Sequence, residues 1–449
     1  MNAYQKAISG HNKNTKKAVS HDQSVFLHTQ NTRYRQEVKK YILGAYEGDL
    51  GKRGDCTTRF FLKNKNATAR VFGKEDGILA GMEEIEWFIQ YIGEKKGEKL
   101  HFSGLKDGSE INKNILRQTK FSNCKNYIFQ HVPRQNLPNK FLVEKKSQKF
   151  IHQVQKSTNI LTITGNLYTL FEIERTILNV LQHMSGIATQ TRKLVEKIEK
   201  NKNLENHEME KNALKTMNEN KTAIFLAKPF LAKPIICATR KTLWGLLDKK
   251  AVSVGGGGTH RLGLDDAILL KKNHLKLLNY DFEKIMHAAE KQCANEKNKN
   301  IGKNILKRKT HANISVTGKN TYCPRFFEVE IENENEAIAC VKSLLKINSA
   351  TATPKKWSIP IILMFDNMKP DSIKQTMEKI RQIRQSFTKT NQMSGSKNFP
   401  KFEDLLFEAS GGIHGENIVE YAKTGVDILS LGSLTHSARS LDMHMVIEY

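Results

Sequence analysis

The chain has 449 residues, of which 39% are hydrophobic and 8% aromatic, enough for two or more domains with buried cores and too apolar for a disordered protein. Its formal net charge of +26 would ordinarily indicate an anionic partner such as nucleic acid. Five Lys- and Asn-rich segments carry all of that excess, and the rest of the chain is formally neutral: residues 1–34, 113–160, 200–222, 290–320 and 379–401. The charge therefore does not define the core function, and nucleic acid is not the expected partner.

The cysteines and the apolar segments of the sequence indicate the cellular compartment in which the protein is expected. The six cysteines are scattered, with no pair at zinc-ligand spacing, which favours reduced thiols in a cytoplasmic protein. The longest apolar stretch, around residues 224–238, is broken by lysines and prolines. We therefore expect no signal peptide, no membrane span and a cytoplasmic location.

The first half of the chain is predicted to form a small α+β domain. Residues 1–34 are interpreted as a polar N-terminal tail, and the domain is placed at residues 35–165, with an insertion at about 113–160. Its elements are a helix near 36–46, a glycine-rich turn at 47–58, strand-like segments at 60–62, 69–72, 77–81 and 99–102, and a helix over 82–92. An amphipathic helix from Leu167 opens a segment, 166–222, that joins the domains and carries an insertion at about 200–222.

Residues 223–449 alternate between short apolar strands and helices. The strand candidates are 235–238, 251–254, 266–270, 325–331, 359–365, 405–409 and 427–431. Helical segments at 282–293, 336–347, 372–383 and 417–424 separate most of them, with insertions at about 290–320 and 384–401. Repeated βα units predict a parallel sheet, so the fold class is α/β, with an irregular seven-stranded barrel-like second domain.

Charged and small residues follow these strands at their carboxyl ends. Cations come first (Arg240, Lys241, His260, Arg261, Lys271 and His274), then carboxylates (Glu328, Glu330 and Asp366), then small residues (Ser410, Gly411, Gly412, Gly432 and Ser433). Because the carboxyl ends of parallel strands form the ligand site, we expect these residues to meet in one cavity. Cations suit an acidic substrate, carboxylates suit hydroxyls or a divalent metal, and glycine-rich turns suit phosphate. The alternative is a set of solvated loop cations, with Glu328 and Glu330 in a buried ion pair with Lys241 or Lys271.

Motifs in a fixed order resemble those of the nicotinate-nucleotide pyrophosphorylase (carboxylating) family, also called quinolinate phosphoribosyltransferases. They are EGDLGKRGDCTT (47–58), ERTILNVLQHMSGIAT (174–189), TRKT (239–242), the glycine run with HRLGL (255–264), KKNH (271–274), EVEI (328–331), DNM (366–368), EASGGI (408–413) and LGSLTHS (431–437). The resemblance implies an N-terminal α+β sandwich domain and a barrel-like phosphoribosyltransferase domain. It also implies that quinolinate and phosphoribosyl pyrophosphate, with Mg2+, give nicotinate mononucleotide, pyrophosphate and CO2.

Matching motif to motif implies a role for each site residue. The quinolinate site would comprise Arg175, Thr239, Arg240, Lys241, His260, Arg261 and Lys271. Glu328, Glu330 and Asp366 would lie on the ribose side, the last two holding the metal through the substrate, and Ser410, Gly411, Gly412, Gly432 and Ser433 would bind phosphate. His274, Asn367, Glu408 and His436 complete the set. In the family the helix arginine reaches the neighbouring subunit's site, which implies a homodimer or a higher homo-oligomer.

Two positions depart from the family pattern, and other functions stay open. Lys272 stands where an acidic residue is usual, and Thr259 where Asn is common. One alternative is a related phosphoribosyltransferase acting on nicotinate, or the paralogue linked to molybdenum transport. Another is a basic nucleic-acid-binding protein on an inactive barrel. The full set of cations favours a dicarboxylate substrate.

Overall fold

The computed structural model describes residues 23–111, 158–216, 234–293, 324–349, 360–393 and 405–449. Of the predicted tail and insertions, residues 1–22, 113–157, 217–222, 294–320 and 394–401 lie outside that part. The chain divides into two compact units, one of Arg35–Thr189 with Arg439–Tyr449 and the other of Met1–Tyr34 with Gln190–Ala438. Within the described residues, no helix has the length and hydropathy needed to cross a membrane.

The first unit is α+β, as predicted. Its antiparallel sheet has the order β12-β1-β5-β3, built from β1 (Asn66–Gly73), β3 (His101–Gly104), β5 (Asn159–Asn166) and β12 (Met443–Glu448). A two-stranded sheet pairs β2 (Gly77–Ile78) with β4 (Glu110–Ile111). The helices of this region are α1 (Thr32–Val38), a π-helical turn (Lys39–Leu43), α2 (Gly44–Leu50), α3 (Cys56–Phe61) and α4 (Met82–Lys96).

Helix α4 shows why this unit folds around its sheet. Ile85, Phe88, Ile89 and Ile92 recur at helical spacing and are fully buried, so one face of the helix enters the core. Gly97 follows the last turn with φ 65°, a left-handed conformation that glycine adopts without steric cost. The helical spacing of the apolar residues and the glycine after the last turn therefore encode both the buried face and the end of this helix in its own sequence.

Three predictions about the ends and turns of the first unit are wrong. Residues 60–62 are not a strand, since α3 begins at an Asp55 cap, whose carboxylate accepts a 3.0 Å hydrogen bond from Thr58 N. The barrel domain does not run to residue 449, because β12 pairs with β1 and belongs to the first unit. Residues 23–34 are not a tail, because Gln23, Leu27 and Tyr34 are buried in the second unit.

Helix α5 (Leu167–Thr216) continues through residues 200–216 of a predicted insertion. The second unit holds a parallel sheet of order β6-β11-β10-β9-β8-β7. Its strands are β6 (Ile235–Ala238), β7 (Ile268–Leu270), β8 (Phe327–Ile331), β9 (Ile361–Asp366), β10 (Leu405–Ser410) and β11 (Ile428–Leu431). The helices are α6 (Leu246–Val254), α7 (Lys272–Leu277), α8 (Phe282–Cys293), α9 (Glu334–Ser349), α10 (Pro370–Met393), α11 (Ile418–Ala422) and α12 (Ser433–His436).

The predicted α/β class is confirmed, but the strand at 251–254 is wrong. These residues form the end of α6, in which Leu246, Leu247, Ala251 and Val252 are all buried. The β-branched valines of this segment favour a strand, but burial of the helix overrides that preference. The seventh strand position is reduced to one parallel bridge between Gly258 and Cys237 at the edge of β6.

Strand register arranges the polar side chains in layers. Glu330 of β8 and Glu408 of β10 both pair with Met364, so the three residues point to the same face of the sheet. One layer further along the strands, Asp366 pairs with Ser410. Since the strands are parallel, these layers lie at their carboxyl ends, where the cations were expected.

Candidate active site

The strand ends of the second unit bring together most of the residues expected in the site. All of the expected positions from Thr239 to His436 belong to this unit. Arg175 lies on α5 in the first unit, where its exposed guanidinium is 4.0 Å from the Glu174 carboxylate. Its predicted role at a neighbouring site therefore stays a prediction.

The loop after β6 carries the first cations and is held by short hydrogen bonds. Lys241 N donates to Thr239 Oγ1 at 3.2 Å, and Thr435 Oγ1 donates to the Lys241 carbonyl at 2.7 Å. The Lys241 side chain lies against Gly432, where an added Cβ would come within 3.1 Å of Lys241 Cδ and of the His436 ring. Lys241 thus joins the cationic loop to the glycine turn after β11.

The second cationic loop, Thr259 to Arg261, is buried. The Thr259 hydroxyl accepts from Gln23 N at 3.0 Å and donates to the His260 carbonyl at 3.1 Å. His260 adopts φ 51°, which is uncommon for a residue with a side chain and is typical of functional sites. Arg261 is 6% exposed and donates through Nη1 to the Ala267 carbonyl at 3.3 Å. Thr259, at the position where Asn was expected to be common, therefore stabilises this loop.

His260 lies between two buried carboxylates. Its Nε2 is 3.3 Å from Glu328 Oε2 and 3.2 Å from Glu408 Oε2, and its ring packs edge-on against Phe326. Burial alone lowers the pKa of His260, but the two carboxylates outweigh it and raise that pKa to about 10. Burial, together with the charge of Glu408, raises the pKa of Glu328 to about 7. The imidazole is therefore a cation at neutral pH.

The three side chains also have the composition of a metal site. Their ligating atoms lie within 4.8 Å of one another, the one such group found in the part of the chain that the structure describes. A protonated imidazole between two carboxylates accounts for the same distances through hydrogen bonds and charge. Glu328 and Glu408 therefore serve His260, and the buried ion pair foreseen for Glu328 forms with His260 rather than with Lys241 or Lys271.

Glu330 and Asp366 form a second acidic pair beside Lys271. The backbone N–H of Lys272 donates to Glu330 Oε2 at 2.9 Å, and Lys271 Nζ lies 4.0 Å from Glu330 Oε1. Burial raises the pKa of Asp366, and the nearby Glu330 raises it further. Two carboxylates that repel each other in this way are a suitable pair of oxygen donors for a hard divalent cation.

Lys272 and His274, which follow Lys271, both have local partners. The Lys272 ammonium, at the position where the family has an acidic residue, pairs with Glu332 Oε1 at 2.8 Å. The added charge is therefore neutralised locally. His274 accepts a hydrogen bond from Lys271 N through Nδ1 at 2.9 Å, so this histidine shapes the start of α7.

The turns after β10 and β11 supply small residues. Asn367 has φ 56° and donates its N–H to the Ser410 carbonyl at 2.9 Å. Gly411 has φ 82°, and a Cβ at this position would collide with Asn367 Oδ1, so only glycine fits. Gly412 (φ 65°) follows it, and Gly432 with Ser433 opens α12.

Two residues of the site were missed by sequence reasoning. Lys249, on α6, is 2% exposed and donates to the Thr259 carbonyl at 2.6 Å. Asp266 accepts from Leu262 N at 2.9 Å, pairs with Arg325 Nε at 3.0 Å and is hydrogen-bonded by the Gln23 side-chain amide. The strand prediction at 251–254 hid Lys249, since it placed this lysine in a loop.

The arrangement has three chemical parts. Buried cations are suited to bind carboxylates, the pair of Glu330 and Asp366 is suited to hold hydroxyls or a cation, and the glycine turns offer backbone N–H groups. Ser437 contacts the His436 ring at 2.5 Å, but both residues are exposed, unlike the shielded nucleophile and base of a catalytic triad. The site therefore favours binding and charge stabilisation over covalent catalysis.

Comparisons with known proteins agree with this geometry. The family model described as quinolinate phosphoribosyl transferase, C-terminal domain, matches residues 220–303 and 309–446. A probable nicotinate-nucleotide pyrophosphorylase (carboxylating) of Methanocaldococcus jannaschii is 32% identical over 291 residues, covering 64% of this chain and 72% of that protein. A protein of the same name from Bacillus subtilis is 26% identical over 413 residues, covering 91% and 93%.

Solved structures share the fold. The nicotinate-nucleotide pyrophosphorylase of Francisella tularensis superposes with a TM-score of 0.55 at 21% identity, covering 92% of this chain and 96% of that one. The corresponding structure from Streptococcus pyogenes gives a TM-score of 0.53 at 22% identity, covering 92% and 98%. At these identities the likeness concerns the two-domain architecture.

Proposed function

Because the chain belongs to the quinolinate phosphoribosyltransferase family, we propose that it converts quinolinate and phosphoribosyl pyrophosphate into nicotinate mononucleotide, pyrophosphate and CO2. This reaction supplies the pyridine nucleotide for NAD biosynthesis. The observation that carries the proposal is that the loops bearing Arg240 and Arg261 begin side by side, since the Lys249 side chain contacts the carbonyls of Ala238 and Thr259, each two residues before one of the arginines. Guanidinium groups bind carboxylates in bidentate geometry, and a dicarboxylate offers one carboxylate to each arginine.

Recognition of quinolinate is assigned to the cationic loops. Arg240 and Arg261 present planar guanidinium groups that match carboxylates in bidentate geometry, whereas Lys241 and Lys271 act as point charges. His260, kept protonated by Glu328 and Glu408, adds a charged donor. A monocarboxylate such as nicotinate would leave part of this set without a partner.

Catalysis is assigned to orientation and electrostatics. The pyridine nitrogen attacks the anomeric carbon of the sugar while pyrophosphate leaves, so the enzyme needs no nucleophile of its own. Lysine side chains at the site stabilise the charge that develops on the leaving group, and the backbone N–H groups of Gly411, Gly412, Gly432 and Ser433 hold the phosphate that stays on the product. The bond between C2 and its carboxylate then breaks and CO2 leaves, the positive ring nitrogen stabilises the electron pair left on C2, and C2 takes up a proton from water.

The family implies Mg2+ as cofactor, and the acidic pair fits it. Glu330 and Asp366 supply carboxylate oxygens, the ligands that Mg2+ prefers, and their mutual repulsion is relieved by a cation. When bound with phosphoribosyl pyrophosphate, the ion neutralises charge on the diphosphate. The two carboxylates themselves orient the ribose hydroxyls.

A homodimer or a larger homo-oligomer and a cytoplasmic location complete the proposal. The exposed Arg175 guanidinium is available to a second copy of the chain, as its family role requires. Cys237 and Cys340 are buried free thiols and Cys56 is an exposed one, which is consistent with a reducing compartment.

The test is a product assay with the purified protein. Nicotinate mononucleotide should form from quinolinate, phosphoribosyl pyrophosphate and Mg2+, and omission of any of the three should abolish it. Nicotinate in place of quinolinate should give no product. Turnover of nicotinate, or no turnover of quinolinate, would contradict the proposed function.

A further inference from the structure

Lys249 is a buried lysine that touches both cationic loops from behind. Its Nζ donates to the Thr259 carbonyl at 2.6 Å and lies 3.4 Å from the Ala238 carbonyl. Ala238 ends β6, immediately before the loop that carries Arg240, and Thr259 immediately precedes His260. One ammonium group therefore ties together the starting points of the two loops.

Backbone hydrogen bonds fix the position of Lys249 relative to the sheet. Below the ammonium, Ala238 N donates to the Gly258 carbonyl at 3.0 Å, and Gly258 N donates to the Ile236 carbonyl at 2.7 Å. Helix α6 is anchored to the same segment, since Gly257 N donates to the Val252 carbonyl at 3.0 Å. Helix α6, β6 and the glycine run are thus hydrogen-bonded to one another. Lys249 bonds the Ala238 carbonyl, before the first loop, and the Thr259 carbonyl, at the start of the second.

Keeping a lysine here has an electrostatic cost. Burial, with a smaller contribution from the charges of Arg240 and Arg261, lowers the pKa of Lys249 to about 7, against the opposing effect of Cys237 and Asp266. A methionine of similar volume would avoid both the burial and the repulsion. The chain therefore retains at this position a donor that its fold alone would not favour.

We propose that Lys249 is a positioning residue that sets the spacing between Arg240 and Arg261 for the two carboxylates of one substrate molecule. The inference rests on the proposed function, because it assigns the two loops to one dicarboxylate. Lys249 acts through the backbone carbonyls of the loops and does not itself contact the reacting atoms. Its loss should therefore affect the dicarboxylate substrate more than the phosphoribosyl substrate, whose predicted contacts, apart from the lysines, lie on or directly after β8 to β11.

The experiment compares Lys249→Met with Lys250→Met in the full chain. Lys250 follows Lys249 on helix α6 and is the matched control. Its Nζ also donates to a backbone carbonyl, that of Leu27, at 2.6 Å. We expect Lys249→Met to raise the KM for quinolinate at least tenfold, with the KM for phosphoribosyl pyrophosphate and kcat within about threefold of wild type. Lys250→Met should leave both KM values within about twofold.

The outcomes separate this inference from the proposed function. No turnover by the wild-type protein would contradict both. Wild-type turnover with an unchanged quinolinate KM in Lys249→Met, or with equal rises in both KM values, would contradict the inference alone. If Lys249→Met does not fold, as judged by circular dichroism, Lys249→Gln replaces it, with the same selective rise in the quinolinate KM expected and the same contrary results.

Discussion

At the scale of single residues, the charge of the site depends on buried side chains that surround His260. Glu328 and Glu408 keep His260 protonated, and Thr259 holds the loop in which His260 adopts a positive φ. Sequence motifs identified the cations because they follow strands in a recognisable order. They did not identify Lys249, because its contacts are with two backbone carbonyls, 10 and 11 residues away, and such contacts leave no pattern of residue types.

Arg261 gives the sharpest residue-level prediction. The Arg261→Lys variant should raise the KM for quinolinate about tenfold or more, since lysine replaces a planar fork by a point charge and loses the bond to the Ala267 carbonyl. Steady-state kinetics with both substrates measures this change. The control is Arg33→Lys, which alters an exposed arginine paired with Asp265 and should leave the kinetics unchanged. Equal kinetics in the two variants would remove Arg261 from the substrate site.

At the scale of elements, local patterns predicted best where burial and period agree. The strand segment of β9 is an apolar run, that of β8 alternates apolar residues with Glu328 and Glu330, and α4 shows a clear helical period, so each was located closely. The segment 251–254 was misread because valine and alanine fit either structure when all of its surroundings are buried. Strand β12 was missed because its partner β1 lies at the other end of the chain, and no local pattern encodes that pairing.

The junction of β10 and β11 predicts a pH-dependent stability. Asp427 N donates to the Phe407 carbonyl at 2.8 Å, and the Asp427 carboxylate accepts from Phe407 N at 2.8 Å. Burial raises the pKa of Asp427 to about 6, although the Phe407 N–H and the charge of Arg384 oppose the rise. The folded chain keeps this proton to a higher pH than the unfolded chain does, so the stabilisation is complete below the ordinary pKa of 3.8, falls as pH rises and is lost above about pH 6.

The Asp427→Asn variant removes the titrating carboxyl and so isolates its contribution to the free energy of unfolding. The free energy of unfolding of the wild type, relative to the variant, should fall by about 2 kcal/mol between pH 4 and pH 7, from a pKa difference of roughly two units of which a small part acts below pH 4. Urea unfolding at several pH values measures it, and other titrating groups cancel in the difference. A difference that stays constant with pH, or that grows with rising pH, would contradict the assignment.

At the scale of the whole molecule, the chain order and the spatial units differ. The N-terminal residues 23–34 belong with the barrel-like unit, and the C-terminal residues 439–449 belong with the α+β unit. Composition and motif order predicted two domains of the observed classes, because each has its own pattern of strands and helices. The two ends of the chain carried no such pattern, so only their tertiary contacts show to which unit each end belongs.

Oligomer formation gives the prediction at this scale. If Arg175 completes the site of a neighbouring subunit, Arg175→Ala and Arg261→Ala should each be inactive, whereas a mixture of the two should recover activity. Random reassociation of equal amounts makes half of the dimers mixed, each with one intact site of two, so about a quarter of wild-type activity is expected. Activity assays after unfolding and refolding the mixture provide the measurement. Recovery no greater than that of each variant refolded alone would show that the two arginines serve the same subunit.

The most direct test of the central claim follows the carboxylate that the reaction removes. Quinolinate labelled at the 2-carboxylate is incubated with the purified protein, phosphoribosyl pyrophosphate and Mg2+, and labelled CO2, pyrophosphate and nicotinate mononucleotide are measured together. We predict equal amounts of the three, with no label left in the nucleotide. Pyrophosphate release without labelled CO2, or a nucleotide that keeps the label, would contradict the assignment of this chain as a decarboxylating quinolinate phosphoribosyltransferase.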